Sequence, residues 1–180
     1  NIYEENLTPN NDKRFRIEHS QHIDLDDIPR FSEFGVIASI QGIHLSSDRP
    51  WAINRLGKEI IIESAYPWRK LIESGAVLVN GTDAPVEPIN PIESFYASVT
   101  RKTLEGQPDT GYEPEEKMTR IEALESYTIN GAYAAFEENI KGSIEIGKLA
   151  DFTVLDQDIL TVEEDKILDT KILMTIIGGE

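Results

Sequence analysis

The stretch VLVNGTDAPVEPINP, Val77–Pro91, decides how this chain is read. A run of β-formers leads directly into an aspartate, Asp83, and then into a loop with prolines at 85, 88 and 91. Asn80-Gly81 is a hairpin signal when strands flank it on both sides. Here the downstream half is TDAPVEPINP, and proline lacks the donor that a paired strand needs. The reading is therefore a buried strand that delivers a carboxylate into a stiff loop, with Asp83 as a turn cap left open as an alternative.

Working outward, similar strands precede it. RFRIEH ends at His19, and VIASIQG is a near-continuous apolar run of the kind found in strands covered on both faces. LDDIPRFSEFG between them is a helix stopped at Gly35. IHLSSDRPWAINRLGKE reads as loop plus short helix, and YPWRKLIESG as a helix with Trp68, Leu71 and Ile72 on one face and Gly75 at its end. After Asp83, Asn90 is an N-cap, Pro91 takes the first helical position and Glu93 completes a capping box; Thr119 and Glu122 repeat that pattern. EGQPDTGYEPEEKM is a surface loop between the two helices. From Gly142 the texture changes to short strands, GSIEIGKLADFTVLD and KILMTIIGG, with a single helical turn between them. Strands alternating with helices indicate an α/β fold with parallel βαβ units. The right-handed crossover rule limits these to an open wound sheet or an arc of a barrel.

The bulk numbers bound the function. A chain of 180 residues with 39% hydrophobic and 28% charged residues has the composition of a globular domain. Its formal net charge of -16 opposes binding to nucleic acid or to an anionic membrane surface, so neither is expected as a partner. With no cysteine, disulfides and thiolate metal sites are excluded and the redox compartment is unreadable. The opening residues NIYEENLTPNNDKRF are polar, contain no signal-peptide core and do not begin with Met. The cytoplasm is the favoured expectation for the compartment.

In parallel α/β folds, chemistry collects at the C-terminal ends of strands. Three strand ends here carry capable residues: His19; Gln41 and His44, with Asp48 close behind; and Asp83. If the strands are neighbours, His19, His44 and Asp83 share one rim, which is the composition of a metal or acid/base site. Each residue also has a plainer reading. A lone histidine after a strand is commonly a satisfied polar group, His22 reads as a surface residue, Arg101 as a helix-surface ion pair, and Trp51 and Trp68 as core.

Taken together, RIEHSQHI, ASIQGIHLSSDRPWA, YPWRKLIESGAVLVNGTDAPVEPINPIESFYASVTR, MTRIEALESYTINGAYAAFEENIKGSIEIGKLADFTVLDQDIL and ILMTIIGGE resemble the metal-dependent amidohydrolase superfamily, in the branch of N-substituted formamide deformylase. The likeness runs from about Arg14 to the C-terminus. It implies a distorted (β/α)8 TIM-type barrel with a small β-sandwich, of which residues 1–141 would supply barrel strands six to eight and residues 142–180 sandwich strands. It also implies that His19 is a metal ligand, that Asp83 is both metal ligand and proton shuttle, and that Gln41 and His44 line the substrate pocket. The expected cofactor is a divalent metal, zinc foremost, and the expected substrate a small amide or formamide.

The family's His-x-His pair is missing from these residues, as are the ligands expected from strands four and five. The expectation is accordingly a C-terminal fragment of a larger hydrolase, inactive and free of metal by itself, and self-associating through strand edges left open. The alternative expectation is a binding or structural domain that retains the scaffold without its chemistry.

Overall fold

The computed structural model describes residues 2–180. Three short strands, β1 (Arg16–Glu18), β2 (Ile37–Ile40) and β3 (Leu78–Asn80), form a parallel sheet in sequence order. The register pairs Ile17 with Ala38 and Ser39 with Val79, so the three C-terminal ends lie side by side. Every residue of β2 is buried, as its unbroken apolar run requires. The chain is α/β.

Helix α1 (Ile2–Asn6) precedes the sheet, and α2 (Ile28–Glu33) connects β1 to β2. Three helices connect β2 to β3: α3 (Gly42–Leu56), α4 (Lys58–Ser64) and α5 (Trp68–Glu73). After β3 come α6 (Pro91–Thr100), α7 (Arg120–Tyr127) and α8 (Ile129–Ala134). The C-terminal region forms a separate antiparallel pair, β4 (Phe152–Leu155) with β5 (Ile172–Ile176), joined through a 3-10 turn at Glu164–Asp169. The segment GSIEIGK, expected to belong to a strand, is turn structure instead.

The largest departure from the sequence reading is α3. A loop with a short helix was expected, because Pro50 interrupts the segment and removes an internal donor. The helix nevertheless continues through Pro50 for 15 residues. Its tertiary face explains this: Leu45, Arg49 and Ala52, at helical spacing, are all buried. Trp51 is 51% exposed and does not belong to the core, whereas Trp68 is buried as expected.

The segment read as a surface loop, residues 105–118, also dips inward. Glu116 and Met118 are buried. The Glu116 carboxylate accepts from the backbone amides of Arg69 and Lys70 at the start of α5 and pairs with the Lys70 ammonium. A carboxylate on those first-turn amides replaces a side-chain N-cap, which α5 lacks because Pro67 occupies that position.

Arg101 corrects the sequence reading most sharply. It ends α6 in a left-handed conformation, φ 57°, and its side chain is fully buried rather than at the surface. It donates to the carbonyls of Tyr66 at 2.9 Å and Tyr112 at 2.5 Å, stacks over Trp68 and faces Glu113. Glu113 also accepts two bonds from the buried Arg49. Surface placement failed as a reading because nothing local marks a guanidinium whose partners lie on two other segments, at Tyr66–Trp68 and Tyr112–Glu113.

Of the two expected capping boxes, the one on α7 is complete: Thr119 accepts from the Glu122 amide and Glu122 accepts from the Thr119 amide. On α6 Asn90 caps the Ile92 amide, but Glu93 accepts from the Asn90 side chain rather than from its backbone. Glu122 additionally binds Arg69 through both oxygens at 2.6 and 2.8 Å. The Arg69 guanidinium, followed by the cap amide, holds the Glu122 carboxyl down to about 2 from 4.5. A depressed folded-state value stabilises the fold fully above about pH 4.5 and loses that stabilisation as pH falls toward about 2. Glu122→Gln is expected to remove on the order of 1–2 kcal/mol at pH 7, after allowance for its partial exposure. Chemical denaturation at pH 7 and pH 3 checks this: the gap between variant and parent should narrow at pH 3.

Candidate functional site

His19 follows β1, Gln41 follows β2, and Asp83 lies three residues beyond β3, so the parallel register places all three at one end of the sheet. His44 sits in the first turn of α3. His19 Nδ1 lies 2.9 Å from Gln41 Oε1. An amide oxygen only accepts, so Nδ1 carries a proton, and in the neutral ring Nε2 is then the nitrogen with the free lone pair. The His19 and His44 rings stack with centroids 5.7 Å apart. His44 Nε2 lies 3.9 Å from Asp83 Oδ2. The structure thus brings together all four residues singled out from the sequence.

His19 and Asp83 both adopt positive φ, 69° and 58°. Histidine and aspartate tolerate this region better than most residues, but each such position costs roughly 1–3 kcal/mol. At β1 the turn is fixed by Ser20, whose hydroxyl donates to the Ile17 carbonyl at 2.9 Å. At β3 the Val86 amide closes a turn onto the Asp83 carbonyl at 2.8 Å.

His44 is buried, and its Nε2 has no hydrogen-bond partner among the described residues. A buried polar atom left unpaired costs about 1–3 kcal/mol, so it marks a place where a bound molecule gains a contact. Its backbone is held from behind: the Tyr66 hydroxyl donates to the His44 carbonyl at 3.2 Å and accepts from Gln21 at 2.7 Å. Burial raises the Tyr66 phenol well above its usual range, so it remains a donor throughout the neutral range. Asp48 belongs to this rear layer, within 3.3 Å of Gln21. His22 is exposed, as read from the sequence, and bridges to Ala65.

For a divalent metal the donor set fits in kind. His19 offers an imidazole nitrogen with its other nitrogen fixed by an amide, the usual arrangement of a ligating histidine. Asp83 offers a carboxylate. Among the described residues no three His, Asp or Glu side chains converge closely enough to hold an ion.

Sequence reasoning missed Asn80, Ser94 and Tyr66. Asn80 was read only as half of a turn signal, and Ser94 and Tyr66 carry no motif. Their roles depend on pairings across 38, 51 and 22 positions.

Comparison with known proteins gives a consistent result. Residues 3–180 match the amidohydrolase family. The chain is 36% identical over 169 residues to Protein LONG AFTER FAR-RED 3 of Arabidopsis thaliana, covering 94% of this chain and 28% of that one. It is 33% identical over 172 residues to the putative amidohydrolase YtcJ of Bacillus subtilis, covering 96% and 32%. With the N-substituted formamide deformylase of Arthrobacter pascens it shares 34% identity over 114 residues, covering 63% and 20%. Among solved structures, an uncharacterized metal-dependent hydrolase from Pyrococcus horikoshii superimposes with a TM-score of 0.73 at 28% identity, over 85% of this chain and 31% of that one. The chain spans about a third of the length of the first two curated relatives.

Proposed function

The chain belongs to the amidohydrolase family, and we propose that it supplies part of the active site of a metal-dependent hydrolase of non-peptide carbon–nitrogen bonds. The observation that carries this reading is the joined rim itself: His19 fixed by Gln41, and Asp83 beside the unpartnered His44 nitrogen. The amide and formamide class is supported by the likeness to N-substituted formamide deformylase.

On this reading β1, β2 and β3 are strands six to eight of a (β/α)8 barrel. Residues 142–180 form the chain's share of a small β-sandwich. Support comes from the sequential parallel order of β1–β3 and from the antiparallel pairing of β4 with β5. A divalent metal, zinc foremost, would be held by His19 Nε2 and the Asp83 carboxylate with further ligands from outside these residues. When bound, it supplies a Lewis acid for the substrate carbonyl and an acidified water.

The chain's own residues do the rest. Asp83 takes a proton from the attacking water and returns it to the leaving nitrogen. Gln41 keeps the His19 ring in the tautomer whose Nε2 faces the rim. His44 offers its buried nitrogen to a polar atom of the substrate. Too few donors converge among the described residues for a complete shell, which supports the proposal that these residues alone are inactive. We also assign them a tendency to self-associate, since the outer edges of β1 and β3 have no strand partner among the described residues.

The full-length protein is expected to hydrolyse members of a panel of N-substituted formamides and small amides. Chelation should abolish turnover and zinc should restore it. Turnover that survives complete removal of bound metal would overturn the reading.

A further inference from the structure

Gln41 occupies the N-cap of α3, yet its side chain makes no capping bond. Its amide oxygen is committed to His19. The first two amides of α3 are instead satisfied from other elements. Gly42 N donates to Asn80 Oδ1 at 3.0 Å, and Ile43 N donates to Ser94 Oγ at 3.1 Å. Asn80 is in turn fixed on both sides of its carboxamide. Its Nδ2 donates to Ser98 Oγ at 3.0 Å, and its Oδ1 lies 3.2 Å from the Ser94 hydroxyl. Ser94 and Ser98 are fully buried in α6. The fit leaves no room for a side chain at position 42, where a Cβ would collide with Ser98 Oγ and the Ser94 carbonyl.

From this geometry we infer that Asn80 is a positioning residue that sets the two halves of the rim against each other. It is the last residue of β3, the strand that leads to Asp83. Through Gly42 it anchors the turn that carries Gln41 and His44. One side chain therefore fixes the Asp83 strand end and the α3 start in a common frame. By capping α3 it also releases Gln41 for His19. The inference deepens the proposed function and rests on it for what the aligned site does. The alignment itself stands on the hydrogen bonds above.

The test uses the full-length protein with Asn80→Leu, which keeps the branching at Cγ and removes both polar groups. Asn80→Asp is the conservative partner, since it retains the acceptor for Gly42. In Asn80→Leu the Gly42 amide is expected to exchange with solvent about 10-fold faster, as for a lost helix cap. The ring resonances of His44 and His19 should shift with it. Zn2+ affinity of the metal-free protein, measured by competition with a chromogenic chelator, should fall about 10- to 100-fold, the usual effect of losing support behind a ligand. Asn80→Asp should restore all three toward the parent. Unchanged histidine resonances and zinc affinity in Asn80→Leu would overturn the inference. So would equal losses in both variants accompanied by a general drop in melting temperature, because that pattern means a structural role only. His19→Ala serves as the control for the function. If it binds zinc undiminished, the metal reading fails, and the Gly42 exchange and His44 shifts still decide the role of Asn80.

Discussion

Asp83→Asn in the full-length protein is expected to lower kcat/KM by about 10²- to 10⁴-fold, the usual contribution of a positioned acid/base group. The fold should survive. Asp83 is exposed and sits at φ 58°, a conformation that asparagine also adopts readily. Its carboxylate lies 3.9 Å from the His44 nitrogen and is partly open to solvent, so the amide disturbs little packing. Stability is expected to stay within about 0.5 kcal/mol of the parent. His19→Ala should match the loss in rate and also lower bound metal, because it removes a proposed ligand rather than a proton carrier. Steady-state kinetics with metal analysis and a denaturation curve separate the two effects. Full activity in both variants would remove the site assignment and favour a scaffold that binds without chemistry.

Arg101→Met is expected to have the largest effect on stability, about 3–5 kcal/mol, as for a broken buried charge network. Burial pushes the Arg101 guanidinium down to about 10, opposed by Glu113, so it stays charged at neutral pH. Its removal strands the Tyr112 carbonyl, leaves the Tyr66 carbonyl with the Trp68 amide as its one remaining donor, and leaves Glu113 with Arg49 alone. Methionine fills the stem volume over Trp68 but satisfies none of these acceptors. The consequence reaches the site, because the Tyr66 hydroxyl supports the His44 backbone. Equilibrium denaturation checks the magnitude. A change below about 1 kcal/mol would show that the network is energetically neutral, as some buried ion pairs are.

What the sequence revealed follows from how local each signal is. β2 and β3 were legible because an unbroken apolar run admits few other structures, and the prolines after Asp83 ruled out a hairpin at Asn80-Gly81. Thr119 and Glu122 were legible because a capping box is complete within four residues. His19, Gln41, His44 and Asp83 were found together because parallel topology sends strand ends to one side. Helix α3 was not legible, since Pro50 speaks against a helix locally and the burial of Leu45, Arg49 and Ala52 that sustains it comes from distant segments. Arg101 and Asn80 were hidden for the same reason. Each acts through partners that sequence spacing does not bring near.

The proposed function requires that His19 and Asp83 bind the same metal ion. Anomalous diffraction at the zinc edge, from crystals of the full-length protein, tests it most directly. The expected result is a peak within bonding distance of both His19 Nε2 and an Asp83 carboxylate oxygen. A peak that touches neither residue would contradict it.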